Sequence, residues 1–294
     1  MPPVEKIRYF ATSLWKRLHD VDCACPNCGS ARFTVQDRKY VVTELRRCED
    51  CYLLHRVPSD SKADNENFYQ KRYSQGFTTE LPDDAELAQL VAAGFATPAH
   101  SYGYSISVLS ALGLGPGCRL FDYGCSWGYG SWQMMRVGLD VVSFEISKSR
   151  ADFAREKVGV NVLSGPPDLA NLGELGGTFD CFFSSHVVEH VPQPSAVIQL
   201  AKALLRPGGY FVAITPNGSE PFRRARPDLW HQLWGKVHPN LIDSEFWRQA
   251  IGDRPMMLAA SPVDLDTVKA FRAGAAPQSS LHLGSGELVC IAQY

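Results

Sequence analysis

A chain of 294 residues can bury a sizeable core, and 45% apolar with 20% charged residues is ordinary for a globular protein. The formal net charge of −2 gives no overall attraction to a polyanion. No apolar run is long enough to span a bilayer and the N-terminus lacks an apolar signal core, so a cytoplasmic setting is expected. In that reducing compartment the nine cysteines are better read as metal ligands or core residues than as disulfides.

Residues 1–60 read as an N-terminal helix followed by a small metal-stapled module. "IRYFATSLWKRLHD" is a basic amphipathic stretch, read as packing against its own domain. "CPNCGS" and "CEDC" then supply C-x2-C twice, Cys25/Cys28 and Cys48/Cys51, with nineteen residues between the pairs. Each turn aims two thiolates at one point, and the β-branched and aromatic residues between them fit a hairpin. Four thiolates in this spacing predict a tetrahedral structural Zn2+ with no open coordination position. Cys23 is a fifth thiol nearby, and the tight C-x2-C turn favours Cys25 over it. Arg32, Arg38, Lys39, Arg46 and Arg47 give this module a basic tint, which Asp37, Glu44, Glu49 and Asp50 dilute.

Residues 61–115 are expected to be a linker and a helical segment. "VPSDSKADNENFYQKRY" is polar and turn-rich, with Phe68, Tyr69 and Tyr73 as anchors, and residues 83 to 113 read mostly as helix up to the "GLGPG" breaker. From 116 to 294 strand and helix signals alternate. "RLFDYG", "DVVSFEIS", "VNVLSG", "FDCFFSSH" and "GYFVAITPN" are strand-like, with helical segments between them. "MMLAAS" and "ELVCIAQY" close the chain as an antiparallel pair. The pattern predicts an α/β fold with a Rossmann-like, mostly parallel seven-stranded sheet, which binds ligands at the carboxyl ends of its strands.

The first of these strands runs into "GCSWG", residues 124–128. It matches the G-x-S-x-G elbow of serine hydrolases, yet no oxyanion-hole stretch precedes Ser126. Glu145, at the end of the next strand, lies 21 residues beyond Gly124, the spacing at which an acidic residue meets ribose hydroxyls in nucleotide-binding α/β folds. Asp122 before the turn would repel a phosphate and suit a cationic amino group. Ser126 is therefore read as cofactor lining.

"LFDYGCSWGYG" with "VVSFEIS", "FDCFFSSHVVEHVPQP" and "LLRPGGYFVAITPN" resembles the class I S-adenosylmethionine-dependent methyltransferases over residues 118 to 217. With "CPNCGS…CEDCYLL…FYQKRY" the chain is similar to bacterial members carrying an N-terminal zinc module, common in glycan and secondary-metabolite biosynthesis. The resemblance implies S-adenosylmethionine as cofactor. Asp122, Gly124, Ser126 and Gly128 would then surround its methionine moiety, Glu145 the ribose, and Ile146 the adenine. Ser185 and His186 would close the pocket. The sequence departs from the family at Ser126, where glycine is usual, and at "SGPPDLANL", where Asp168 is the candidate for the acidic residue near adenine.

For the transfer step, "SSHVVEH" offers His186, Glu189 and His190. His190 is the first choice for general base because an ordinary histidine titrates near neutrality. His238 in "WGKVHPN" extends the trio. The H-x-x-E-H pattern with a distant histidine resembles the metal site of small-RNA 3′-end 2′-O-methyltransferases, and implies a possible second divalent metal at His186, Glu189, His190 and His238. "NGSEPFRRARPDLWHQLWGKVHPNLID" is placed to build the acceptor pocket. Arg223, Arg224 and Arg226 are candidates to grip an anion there, and Trp230 and Trp234 are read either as a stacking platform or as core. The expected activity is O-methylation of a small molecule or sugar. The alternatives are sugar C-methylation, RNA modification through the zinc module, and a non-catalytic binding module. Nucleic acid is the less expected partner, and the sequence does not bear on oligomeric state.

Overall fold

A computed structural model describes residues 3–19, 21, 23–59, 80–167, 169–170, 172–274 and 279–294. Phe68, Tyr69, Tyr73 and Asp168 lie outside the described residues.

Helix α1 (Pro3–Leu18) leads into a hairpin of β1 (Phe33–Lys39) and β2 (Thr43–Cys48), followed by β3 (Leu54–Val57). The β-branched and aromatic residues between the cysteine pairs form this hairpin, which pairs Phe33 with Cys48 and Lys39 with Thr43. The helical segment is two helices, α2 (Asp84–Ala92) and α3 (Gly103–Ala111), rather than one. Asp83 caps α2 in a reciprocal capping box with Glu86, and "GF" at 94–95, both at positive φ, ends it.

The larger sheet then begins with β4 (Arg119–Tyr123), α4 (Tyr129–Arg136), β5 (Asp140–Phe144) and α5 (Lys148–Phe153). It continues with β6 (Phe179–Ser185), α6 (Pro194–Leu204) and β7 (Leu205–Pro216). The "RPGG" expected to end the helix belongs instead to β7. After β7 come α7 (Glu220–Ala225), α8 (Pro227–Leu233), β8 (Asn240–Leu241) and α9 (Ser244–Ile251). The chain closes with β9 (Met256–Ala260), α10 (Leu265–Arg272), β10 (Ser279–Leu281) and β11 (Glu287–Gln293).

The strand order is β10-β9-β11-β7-β6-β4-β5. Strands β5, β4, β6 and β7 are parallel, and β11 runs antiparallel between β7 and β9. Six strands have five residues or more and β10 has three, so the six substantial strands do not include one of the seven expected. "VNVLSG" is reduced to one bridge, Val162 to Ser143, and the opposite edge ends in the three-residue β10. Pro166 and Pro167 follow closely, where missing N–H groups prevent a longer ladder.

The alternation of the strands splits the core between the two faces. Phe121, Phe179, Phe182 and Phe211 pack with α6 and α9 on one side. Leu120, Cys181, Phe183 and Val212 pack with α3 and α10 on the other. Each buried ring contributes about 1.5–3 kcal/mol by leaving water.

The N-terminal sheet is completed from the other end of the chain. Its order is β1-β2-β3-β8, so two residues of the post-β7 segment, Asn240 and Leu241, pair with His55 and Leu54. Asp243, which caps α9, also meets Arg47 at 2.5 Å, and the side chain of Asn27 accepts the Ser195 N–H at the start of α6. The cysteine-bearing module is thereby fastened to the large sheet by backbone, ion pair and cap at once. Trp230 and Trp234, 3% and 2% exposed, pack with Leu45, Leu54, Phe222 and Leu241 in the seam, which decides in favour of the core reading.

Candidate functional site

Two short turns bring the four expected thiols together. Cys25 Sγ lies 3.6 Å from Cys51 Sγ, and Cys28 Sγ 3.5 Å from Cys48 Sγ, with all four sulfurs within 4.8 Å of one another. Zn–S bonds of about 2.3 Å in a tetrahedron require sulfurs about 3.8 Å apart, so the donor set matches zinc in kind and in spacing. Cys23 is not in the group, and its thiol instead faces the Val21 carbonyl at 3.5 Å. The shared Cys25–Cys51 proton draws Cys51 down to about 5 and drives Cys25 far up, and burial lifts Cys28 to about 11. A cation that replaces the protons relieves this crowding.

The turn after β4 reaches its shape through Gly124 (φ 93°), Ser126 (φ 51°) and Gly128 (φ 91°). At Gly124 an added Cβ would come within 2.3 Å of Val187, so only glycine lets the loop after β6 lie against the turn. Glu145 is buried just beyond β5. One of its oxygens accepts the Ser126 N–H at 3.0 Å and the other the Ser147 N–H at 2.8 Å. Burial raises its pKa against the pull of the Ser147 amide and Arg150. Arg150 donates to the Ser126 hydroxyl at 2.9 Å, which places an arginine where a serine nucleophile would need a base. Asp122 is buried and accepts from Ser131 Oγ at 2.5 Å, and Ser143 Oγ donates onward to Ser131 Oγ at 3.1 Å. Burial lifts Asp122 to about 7, and its hydrogen bond to Ser131 works the other way. Asp122 thus supports the turn from behind, while Ile146 is 41% exposed at its mouth.

Beyond β6, His186, Glu189, His190 and His238 meet around one carboxylate. Glu189 is fully buried, with His186 Nδ1 3.6 Å and His190 Nε2 3.7 Å from its Oε1. Desolvation opposes its charge, but His186 and the other two rings outweigh this and lower its pKa. His186 itself, at φ 55°, reaches Glu287 on β11 at 3.1 Å. Its partial burial favours the neutral ring, yet hydrogen bonding to Glu189 and Glu287 prevails and raises it to about 10. Burial pushes His190 down to about 4, so the near-neutral pKa that recommended it as a base is not what the fold provides. His190 Nδ1 donates to the Val237 carbonyl and His238 Nδ1 to the Leu233 carbonyl, each at 2.7 Å. The two rings lie 4.8 Å apart.

A family model described as "Methyltransferase domain" matches residues 81–254, more than half of the chain. The chain belongs to this methyltransferase family. Curated relatives of this methyltransferase include a ubiquinone biosynthesis O-methyltransferase of Cereibacter sphaeroides, 36% identical over 104 residues, 34% of this chain and 42% of the relative. One of the same name from Xanthomonas axonopodis is 32% identical over 168 residues, 54% of this chain and 66% of the relative. The chain therefore spans less than two thirds of the length of these relatives. A solved SAM-dependent methyltransferase from Archaeoglobus fulgidus aligns with a TM-score of 0.45 at 15% identity, over 65% of this chain and 95% of its own. Among the described residues no helix is long and apolar enough to cross a membrane.

Beside His238 the methyltransferase has a cavity of about 710 Å³, bounded by α1, the β1–β2 hairpin and residues 232–238. Phe10, Tyr40, Trp234 and Val237 line it together with Lys39 and Lys236. Lys39 sits 4.5 Å over the Trp234 ring, and desolvation lowers its pKa. The arginines expected to grip an anion are engaged elsewhere: Arg223 with the Gln36 carbonyl and the Trp230 ring, Arg224 with Glu220. Arg226 is exposed on the connection between α7 and α8. Sequence reasoning missed Glu287, Ser131 and Arg150. Glu287 is 101 residues from its partner His186, and no local pattern marks it.

Proposed function

We propose that this methyltransferase O-methylates a small hydroxylated acceptor, with S-adenosylmethionine as donor. The observation that carries the reading is the contact of Val187 with Gly124, which sets the Glu189, His190 and His238 group beside the turn that would hold the donor. When bound, the cofactor supplies a methyl group on a sulfonium. Gly124, Ser126 and Gly128 shape the turn around its methionine end, backed by Asp122, and Glu145 accepts from the ribose hydroxyls while holding two turn amides. Ile146 covers the adenine, and Ser185 and His186 flank the opening. The histidine–carboxylate group orients the acceptor hydroxyl. The names of the curated relatives favour oxygen as the methylated atom. The cavity beside His238 is of a size suited to a small acceptor.

In this reading residues 1–60 form a structural zinc module, 61–115 a connection, and 116–294 the catalytic domain. RNA is disfavoured as substrate because the module's cations are already engaged. Arg32 pairs with Asp50, Arg38 and Arg46 with Glu44, Arg47 with Asp243, and Lys39 bonds the Trp234 carbonyl.

Calorimetric titration with S-adenosylhomocysteine, followed by labelled-methyl transfer to a panel of catechols, phenols and sugars, tests the proposal. Micromolar binding and label on oxygen are the expected outcome. A folded, zinc-loaded protein that ignores the ligand would refute it.

A further inference from the structure

The cavity of about 710 Å³ beside His238 is walled by two parts of the chain that are far apart in sequence. One wall is the turn at 233–238. The Gly235 N–H closes it by donating to the His238 carbonyl at 2.9 Å, and His238 Nδ1 donates to the Leu233 carbonyl at 2.7 Å. The other wall is α1 with the β1–β2 hairpin, and these two are tied down. Arg56 on β3 donates to the Tyr9 hydroxyl at 2.8 Å, and Arg17 pairs with Glu44 on β2 at 3.1 Å. The space is thus bounded on both sides by anchored elements, and its size suits a small molecule.

Lys39, at the end of β1, joins the two walls. Its half-buried ammonium donates to the Trp234 carbonyl, 195 residues away, and lies 4.5 Å over the Trp234 ring. An ammonium has three donors, and a carbonyl accepts one of them without neutralising the charge. Burial disfavours that charge, and Asp37 offsets this only in part. Asp37 is itself turned to His231 Nδ1 at 2.6 Å and to Trp234 Nε1 at 2.9 Å. Lys236 lines the cavity from the side of the turn. Among the described residues the lining thus holds two lysines and no carboxylate, set among Phe10, Tyr40, Leu233 and Val237.

We propose that this cavity is the acceptor site of the methyltransferase, and that it takes a hydroxylated aromatic compound with one carboxylate or similar anionic group, recognised by Lys39. Aromatic and aliphatic walls suit a flat ring. A desolvated ammonium with donors to spare suits a single anion, because charge-assisted bonds gain most where water is excluded. A neutral sugar would leave the ammonium uncompensated and meet few polar partners. His238 lines the same space and stands with Glu189 and His190, so the acceptor's hydroxyl end belongs there and its anionic end at Lys39. Use as an acceptor site rests on the methyl-transfer reading, whereas recognition of the anion does not. The N-terminal module thereby selects the substrate, although it lies outside residues 81–254 that carry the family likeness.

The test titrates the full chain, without methyl donor, with two fluorescent dyes that share their rings: anionic 1-anilinonaphthalene-8-sulfonate and neutral N-phenyl-1-naphthylamine. One equivalent of the anionic dye is expected, bound about tenfold more tightly than the neutral one. Lys39→Met should abolish this preference and Lys39→Arg should keep it, with S-adenosylhomocysteine binding unchanged in both. Gln232→Trp, at an exposed position on the cavity wall, should weaken both dyes by filling the space. Equal affinity for the two dyes in the wild-type chain, an undiminished preference in Lys39→Met, or dyes indifferent to Gln232→Trp would each overturn the site. Should Lys39→Met fail to fold, the dye pair and Gln232→Trp still decide. With donor added, hydroxycinnamates should accept labelled methyl in preference to their methyl esters, and Lys39→Met should raise KM for the acid with kcat nearly unchanged. Esters methylated as readily as acids would overturn the cavity as acceptor site. Failure to bind S-adenosylhomocysteine, with the dye preference intact, would instead remove the proposed function and leave the anion site standing.

Discussion

The four-cysteine group and the Glu189–His190–His238 group gather their donor atoms within the same 4.8 Å, yet they are built in opposite ways. The first consists of two C-x2-C turns and a hairpin, all sulfur and closed on every side. The second joins the loop after β6 to a segment 47 residues further on, with mixed nitrogen and oxygen donors and one side open to a cavity. Local turns can converge sulfurs without help from the rest of the fold, whereas an open site needs the fold itself to hold it. The first is expected to govern stability and the second chemistry, a division that experiments can break.

The largest effect should come from Cys48→Ser. Its thiol is fully buried, and the module has little apolar core of its own. We expect loss of the thiolate band of the cobalt protein and a fall in thermal midpoint of about 10 °C, roughly 3 kcal/mol or more for a chain of this size. An unchanged melting curve would show that the module stands without metal. His238→Ala should barely move the same curve.

Next in size is Asp243→Ala, which removes at once the cap on Phe246 N–H and the partner of Arg47. A loss of about 3 kcal/mol is expected from leaving a partly buried arginine unpaired and a helix uncapped, read as a lower urea midpoint. If the midpoint holds, the module is not fastened where the structure fastens it.

Glu145→Ala should weaken S-adenosylhomocysteine about 100-fold, or roughly 2.7 kcal/mol, since both carboxylate oxygens hold turn amides in addition to facing the ligand. Glu145→Gln, with one acceptor left, should fall between. Equal affinities in all three proteins would place the ligand elsewhere.

The smallest effect is a dependence on pH. Burial raises Asp122 from 3.8 to about 7. An acid with a raised folded pKa is most favourable to the fold when protonated. Its contribution is therefore full below pH 3.8 and is lost as pH rises toward 7. Between pH 5 and 7 the loss is about 2 kcal/mol. Asp122→Asn should flatten that slope in denaturant titrations. A slope that persists would assign the titration to another group.

How much of this could be read in advance follows the range of each interaction. The order of strands and helices was legible because alternating β and α signals need only neighbouring residues, and the glycine turn and Glu145 sit one βα unit apart. The meeting of the four cysteines was legible because their spacing is itself the geometry. "VNVLSG" misled because strand-like composition does not count the ladder bonds available to it. Trp230 and Trp234 left two readings open because an aromatic residue gives the same signal in a seam as in a pocket.

By itself, then, the amino-acid order determined the elements, the four-cysteine group and the glycine turn after β4, all products of short-range backbone and side-chain preference. The tertiary structure alone decided that β8 completes the N-terminal sheet, that Glu287 holds His186, and that burial draws His190 and Asp122 away from their ordinary titration. It also decided that the buried Glu189 carboxylate is gathered against the rings of His186, His190 and His238. These depend on which distant surfaces exclude water together, and desolvation is a property of the folded assembly rather than of any stretch of chain.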